Sequence, residues 1–174
     1  MDRPEQKERL TWVSCKRPFD DPWYQDRAAT IVDSYRRLLG RELLPEASFS
    51  TVGKELARAV WEAPIMVVSH DPSADPEFVF ANRTALSLFQ IEAIDFVGMK
   101  SRLSAETALQ AERAELLREV LEKGYSESYS GVRIGRLGRR FRLHSATVFN
   151  LIDESSRLIG QAAAAENWEF LSEP

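Results

Sequence analysis

Residues 139–152 read Arg139-Arg140-Phe141-Arg142-Leu143-His144-Ser145-Ala146-Thr147-Val148-Phe149-Asn150-Leu151-Ile152. Every odd position from Phe141 to Leu151 is apolar or carries a small hydroxyl: Phe141, Leu143, Ser145, Thr147, Phe149 and Leu151. A period of two marks a strand with one face buried. The even face holds Arg140, Arg142 and His144 at one end and Ala146, Val148 and Ile152 at the other, so it reads as polar, then apolar. Upstream, Tyr125 to Ile134 forms a strand joined through Gly135-Arg136-Leu137-Gly138. Downstream, Asp153 to Arg157 turns the chain and Leu158 to Trp168 returns it. Three consecutive strands with short connections predict an antiparallel meander.

Further upstream, Ile65-Met66-Val67-Val68 and Phe78-Val79-Phe80-Ala81 are short apolar runs around the turn residues Asp71 to Pro76, and predict a hairpin over 65–82. Ser69-His70-Asp71-Pro72 is read as the end of the first strand. Short helices fill 83–99. A longer helix is expected from Ala105 to Lys123, with Ser104 as N-cap and Leu109, Leu116, Leu117, Val120 and Leu121 as its apolar stripe. Its glutamates, interleaved with Arg113 and Arg118, read as a solvated face. Before the hairpin, Ala28, Ile31, Val32, Tyr35, Leu38 and Leu39 give an amphipathic helix over 23–39, and a second runs from Thr51 to Glu62. The expected fold is α+β: a five-stranded antiparallel sheet with helices packed on one face, plus N-terminal amphipathic helices. The expected divisions are a loosely ordered arm over 1–22, a helical segment over 23–62 and a sheet domain over 63–170.

The net charge of −4 gives no electrostatic ground for nucleic-acid binding. Cys15 is the single cysteine, so no internal disulfide can form. No stretch approaches the ~20 apolar residues of a membrane span, and Met1 to Leu10 lacks the apolar run of a secretory signal. A cytoplasmic protein is expected. Two histidines, His70 and His144, and no cysteine pair offer no structural zinc set, and His70 is read as a turn residue. Ser69-His70-Asp71 holds the residue types of a hydrolase triad, but sequence neighbours cannot reach the required mutual geometry. The chain is read as non-enzymatic. Arg133, Arg136, Arg139, Arg140 and Arg142 form one local basic cluster, which could meet an acidic partner or anionic ligand and is read first as hairpin surface.

Six dispersed blocks carry a family resemblance: Trp61-Glu62-Ala63-Pro64, Val68-Ser69-His70, Phe80-Ala81-Asn82-Arg83, Ser101 to Glu106, Tyr129 to Ile134 and Ala146 to Leu151. Together they resemble the MEKHLA domain, over roughly Tyr24 to Ala165. That family includes small bacterial proteins and a C-terminal domain of some plant homeodomain–leucine zipper factors. The resemblance implies a PAS-like sheet curling over a pocket and a role in sensing or association; it supplies no cofactor. Cysteinyl–flavin photochemistry would need a thiol near Gly98 to Leu103, where Ser101 stands instead. With the odd face of 139–152 toward the pocket, the candidate ligand contacts are Phe80, Asn82, Leu103, Ser145, Thr147, Phe149 and Gln161, beside a cavity of a few hundred Å3. Asn82 also reads as a helix N-cap. The expected function is a sensory domain that binds a small molecule and signals as a homodimer through helix 23–39 and the outer sheet face. The alternative is an association module with a filled core.

Overall fold

A computed structural model describes residues 11–45 and 51–172 of the chain. Both the hairpin and the meander are present: β1 (Met66–His70) and β2 (Phe78–Ala81) form the hairpin, and β3 (Tyr125–Ile134), β4 (Arg140–Ile152) and β5 (Leu158–Ala165) the meander. The sheet order is β2-β1-β5-β4-β3, with neighbours antiparallel. A sixth short strand, β6 (Asn167–Phe170), continues past Glu166 and pairs with the first half of β4. All five residues of β1 are buried, as a central strand covered on both faces must be. β1 therefore runs two residues beyond the apolar run, taking in Ser69 and His70.

Helices cover both faces of the sheet. On the outer face lie α1 (Pro22–Leu39) and α2 (Gly53–Glu62). Asp21 caps α1 by accepting from the Tyr24 amide at 3.1 Å, Pro22 occupies its first turn, and Gly40 ends it. Its stripe packs on the sheet of the same chain. The Tyr35 ring meets Phe149 edge-on at 5.3 Å, Tyr24 stacks on Phe80 at 4.4 Å, and the Ser34 hydroxyl accepts from the Ile152 amide at 3.1 Å. Each large ring buried here contributes about 1.5–3 kcal/mol. The surface expected to build a homodimer is thus already covered from within. Within the expected arm, residues 12–20 form two 3-10 turns whose Trp12 and Phe19 dock onto this layer, Trp12 fully buried and Phe19 almost so. Residues 1–10 lie outside the described residues.

On the inner face lie α3 (Arg83–Phe89), α4 (Ala93–Phe96) and α5 (Gln110–Lys123). Here Met66, Val68, Phe78, Phe89, Phe96, Phe141 and Leu143 form a second apolar layer. α5 begins at Gln110, five residues later than its composition suggests, because 101–104 and 107–109 form 3-10 turns. Ser104 does not cap it. Its hydroxyl donates instead to the Ser101 carbonyl at 2.7 Å. Leu121 is half exposed, while Arg113 is buried.

β4 departs from simple alternation at one residue. Ser145 is exposed with φ +49°, a left-handed conformation in mid-strand. Such a bulge inserts one residue and exchanges the faces beyond it. Before it, Phe141 and Leu143 point inward; after it, Ala146 and Val148 do. Phe149 and Leu151 turn to the outer layer, and Thr147, paired with the outward Ala164, goes with them.

Candidate functional site

The bulge disperses most of the residues expected to line one pocket. Ser145 is exposed, and Thr147 and Phe149 belong to the outer face. Phe80 is stacked under Tyr24 in the outer layer. Leu103 is half exposed at the rim of a surface groove. Asn82 is fully buried and structural: its Oδ1 accepts from the amides of Ala85 and Val67 at 3.0 Å, and its Nδ2 donates to the carbonyls of Val60 at 3.1 Å and Ile65 at 2.8 Å. All four of its hydrogen-bonding positions are taken. Of the seven, only Gln161 faces the inner cavity.

That cavity lies between the inner sheet face and α5. It is narrow, about 40 Å3, an order of magnitude below the volume expected. Met66, Val68, Leu143 and Val148 give it apolar walls, and Leu116 and Leu117 roof it. At about 10–15 Å3 per water it holds roughly three water-sized groups. A flavin or haem ring does not fit. Wider hollows of about 520 and 700 Å3 are open surface grooves.

Seven residues with polar side chains line this space: Ser69, His70, Ser104, Arg113, Tyr129, Arg133 and Gln161. Gln161 donates to the Leu117 carbonyl at 2.9 Å and to Asn150 Oδ1 at 3.0 Å, while Asn150 donates to the Leu121 carbonyl at 3.2 Å. These bonds tie β4 and β5 directly to α5. His70 closes β1 opposite Gln161 and is buried. Its Nδ1 lies 2.8 Å from the Asp71 carbonyl, which can only accept, so the proton sits on Nδ1. Nε2 is left as a buried acceptor without a protein partner. Burial pushes the imidazole down to about 4, so the ring is neutral at physiological pH. In β1, Ser69 pairs opposite Ala162 of the outer layer and His70 opposite inward Gln161, so the apparent triad residues diverge.

Arg113 and Arg133 were the least visible members. Arg113 projects from α5 at the spacing of the apolar stripe, between Leu109 and Leu116–Leu117, and this misplaced charge was the sequence signal for a functional position. Burial pulls its guanidinium down to about 10, with repulsion from Arg133 second. Arg133 faces inward opposite Phe141, its guanidinium 5.1 Å from the centre of the Tyr129 ring, and one nitrogen donates to the Val132 carbonyl at 3.1 Å. The rest of the basic cluster is surface, as expected. Arg136 pairs with Asp95, Arg140 with Glu106 at 2.5 Å and Arg142 with Glu169 at 3.0 Å, while Arg139 lies over Phe170 at 4.2 Å. Cys15 is exposed and distant from the cavity in sequence and layer. Among the described residues no cluster of histidine, cysteine and carboxylate is placed to hold a metal, and no helix is long and apolar enough to cross a membrane.

Comparison with solved structures places this architecture among PAS and light-oxygen-voltage domains. The PAS domain of a Colwellia psychrerythraea protein superposes with a TM-score of 0.57 at 11% identity, over 68% of this chain and 95% of that one. A light-oxygen-voltage domain studied with a flavin analogue gives 0.53 at 20% identity, over 68% and 85%. The light-state dimer of the fungal blue-light photoreceptor Vivid gives 0.51 at 12%, over 76% and 91%. At these identities the likeness is one of fold. Among curated proteins, homeobox-leucine zipper protein ATHB-9 of Arabidopsis thaliana is 26% identical over 147 residues, and HOX29 of Oryza sativa subsp. indica 23% over 148. This chain spans only 17% and 16% of their lengths. The MEKHLA domain model matches residues 25–170, which includes all but the first three residues of α1, the whole sheet and every residue of the inner cavity, and the chain belongs to the MEKHLA domain family.

Proposed function

We propose that this chain is a PAS-like sensory domain that binds a compact small molecule in the inner cavity and passes the signal to a protein partner. The observation that carries the reading is the buried, unpartnered His70 Nε2 at a cavity that also holds two arginines. Buried polar groups in native proteins find partners, so a site that leaves them open is shaped for a ligand or ordered water. Gln161 and Asn150 couple that cavity to α5, and the same two strands carry α1 on their far side through Ser34–Ile152 and Arg27–Ile159. A change in the cavity thus reaches the outer helices through one sheet thickness. The proposed role is binding without turnover.

The small volume favours a second reading, an association module whose core is effectively filled. The two separate in a thermal-shift screen of small polar metabolites against wild type and Ala163→Leu, which places a bulky side chain at the cavity wall. Ligand binding predicts compounds that raise the wild-type midpoint by several degrees and fail on the variant. If no compound stabilises wild type and Ala163→Leu folds with a higher midpoint, the cavity is a packing defect and association stands alone. Light scattering then reports on association. Because α1 is spent on its own sheet, a homodimer would have to use a different surface.

A further inference from the structure

The geometry points to a small hydroxycarboxylate as the ligand of the inner cavity, its carboxylate held by Arg113 and Arg133 and its hydroxyl donated to His70 Nε2. The inference rests on the ligand-binding reading above and adds the chemistry of the ligand.

Arg113 and Arg133 are 7% and 8% exposed, and both face the same space. An arginine cannot shed its charge at neutral pH, and a buried charge demands a counter-charge. Of the neighbouring arginines, Arg136, Arg140 and Arg142 obtain one from Asp95, Glu106 and Glu169, while the less buried Arg139 bonds to the Ser87 and Leu88 carbonyls and lies over Phe170. Among the described residues, none that lines this cavity is acidic; the carboxylate that acts on Arg113 is Asp75, which lies outside the cavity, weighs less than the Arg133 repulsion and is already paired with Arg102 at 3.1 Å. The two guanidiniums instead repel each other. An anion between them would relieve that repulsion and use the planar fork that matches a carboxylate. The Tyr129 ring lies over Gly131, where a Cβ would strike its hydroxyl, and beside the Arg133 guanidinium.

The rest of the ligand follows from His70 and the walls. Because Nδ1 carries the proton toward the Asp71 carbonyl, Nε2 needs a donor, which a carboxylate does not supply and a hydroxyl does. Apolar walls of Met66, Val68 and Leu143 accept a carbon skeleton, and a volume near 40 Å3 keeps it to a few heavy atoms. Inorganic phosphate satisfies the arginines but leaves those walls facing polar oxygen.

The test is calorimetric titration of the full chain at constant ionic strength with glycolate, acetate, glycolamide and inorganic phosphate. Glycolate should bind, acetate at least about threefold more weakly for want of the hydroxyl bond, and glycolamide and phosphate should not bind measurably. Arg113→Met and Arg133→Met should each weaken glycolate at least tenfold, and Arg113→Lys, which keeps the charge but not the fork, should fall between. Arg113→Met should also melt higher than wild type without ligand, because it removes an uncompensated buried charge; an arginine kept for structure would melt lower. Glycolamide or phosphate binding as well as glycolate, or glycolate binding that survives Arg113→Met, overturns the proposal. If none of the four binds but the metabolite screen finds a compound blocked by Ala163→Leu, this proposal fails and the cavity reading stands. If both are empty, both fail.

Discussion

At the scale of single residues, the fold and the site depend on buried polar groups with opposite fates. Asn82 has every hydrogen-bonding position satisfied and joins β1, α2 and the start of α3. Asn82→Ala should cost about 3 kcal/mol, the sum of a lost cap and newly orphaned backbone groups. Asn82→Asp should keep the cap yet still destabilise, because it sets an acceptor against the Val60 and Ile65 carbonyls. Urea unfolding of both variants measures this. The N-cap role of Asn82 could be read from its place between an apolar strand and a helix, and the structure adds the three further bonds. His70 and Arg113 could not be read so easily. A histidine beside Asp71-Pro72 looks like turn chemistry, and only the added strand pairing with Gln161 buries it. Arg113 looked like one charge among glutamates until the helix phase was known.

At the scale of elements, the sequence located β2 and β3 to the residue and α1 to within one, because their periods are long or their boundaries marked. β4 shows what period alone cannot supply. Its odd positions read as one face broken only by the hydroxyls of Ser145 and Thr147, yet Ser145 shifts the register by one, and nothing in the run Leu143 to Thr147 distinguishes a bulge from a regular strand. A candidate pocket face drawn from strict alternation therefore mixed inner and outer residues. The left-handed backbone at Ser145 costs an L-residue about 1–2 kcal/mol. Ser145→Gly should accordingly be neutral or stabilise by up to about 1 kcal/mol, whereas Ser145→Val should destabilise by about 1–2 kcal/mol. Deleting Ser145 should leave the fold intact, since it removes the one extra residue and lets Leu143, Ala146 and Val148 alternate regularly on the inner face with Phe149 and Leu151 still outward. Thermal unfolding of the three variants orders them. Gly160 is constrained likewise, with φ +144° and the His70 carbonyl where a Cβ would stand, so Gly160→Ala should disturb β5 beside His70.

At the scale of the whole molecule, one sheet separates an outer layer of packed aromatic rings from an inner layer containing polar groups without protein partners. Acid should expose this division. His70 titrates near 4 when folded and near 6.5 when free, mainly through burial, with Arg113 and Arg27 opposing its protonation and the Asp71 carbonyl and carboxylate favouring it. The unfolded chain then binds the extra proton, so stability is unaffected above about pH 6.5 and falls as pH drops toward 4, by about 3 kcal/mol in all. His70→Gln should flatten that part of the profile in denaturant titrations at pH 7, 6 and 5. The central claim, that the inner cavity binds a small molecule, is tested most directly by methyl NMR of the folded chain during titration with glycolate or a compound from the screen. Binding in the cavity predicts saturable shifts at Met66, Val68, Leu143 and Val148, with Ile31, Val32 and Leu151 of the outer layer unmoved; shifts confined to the outer layer or the surface grooves, or none at all, would contradict it.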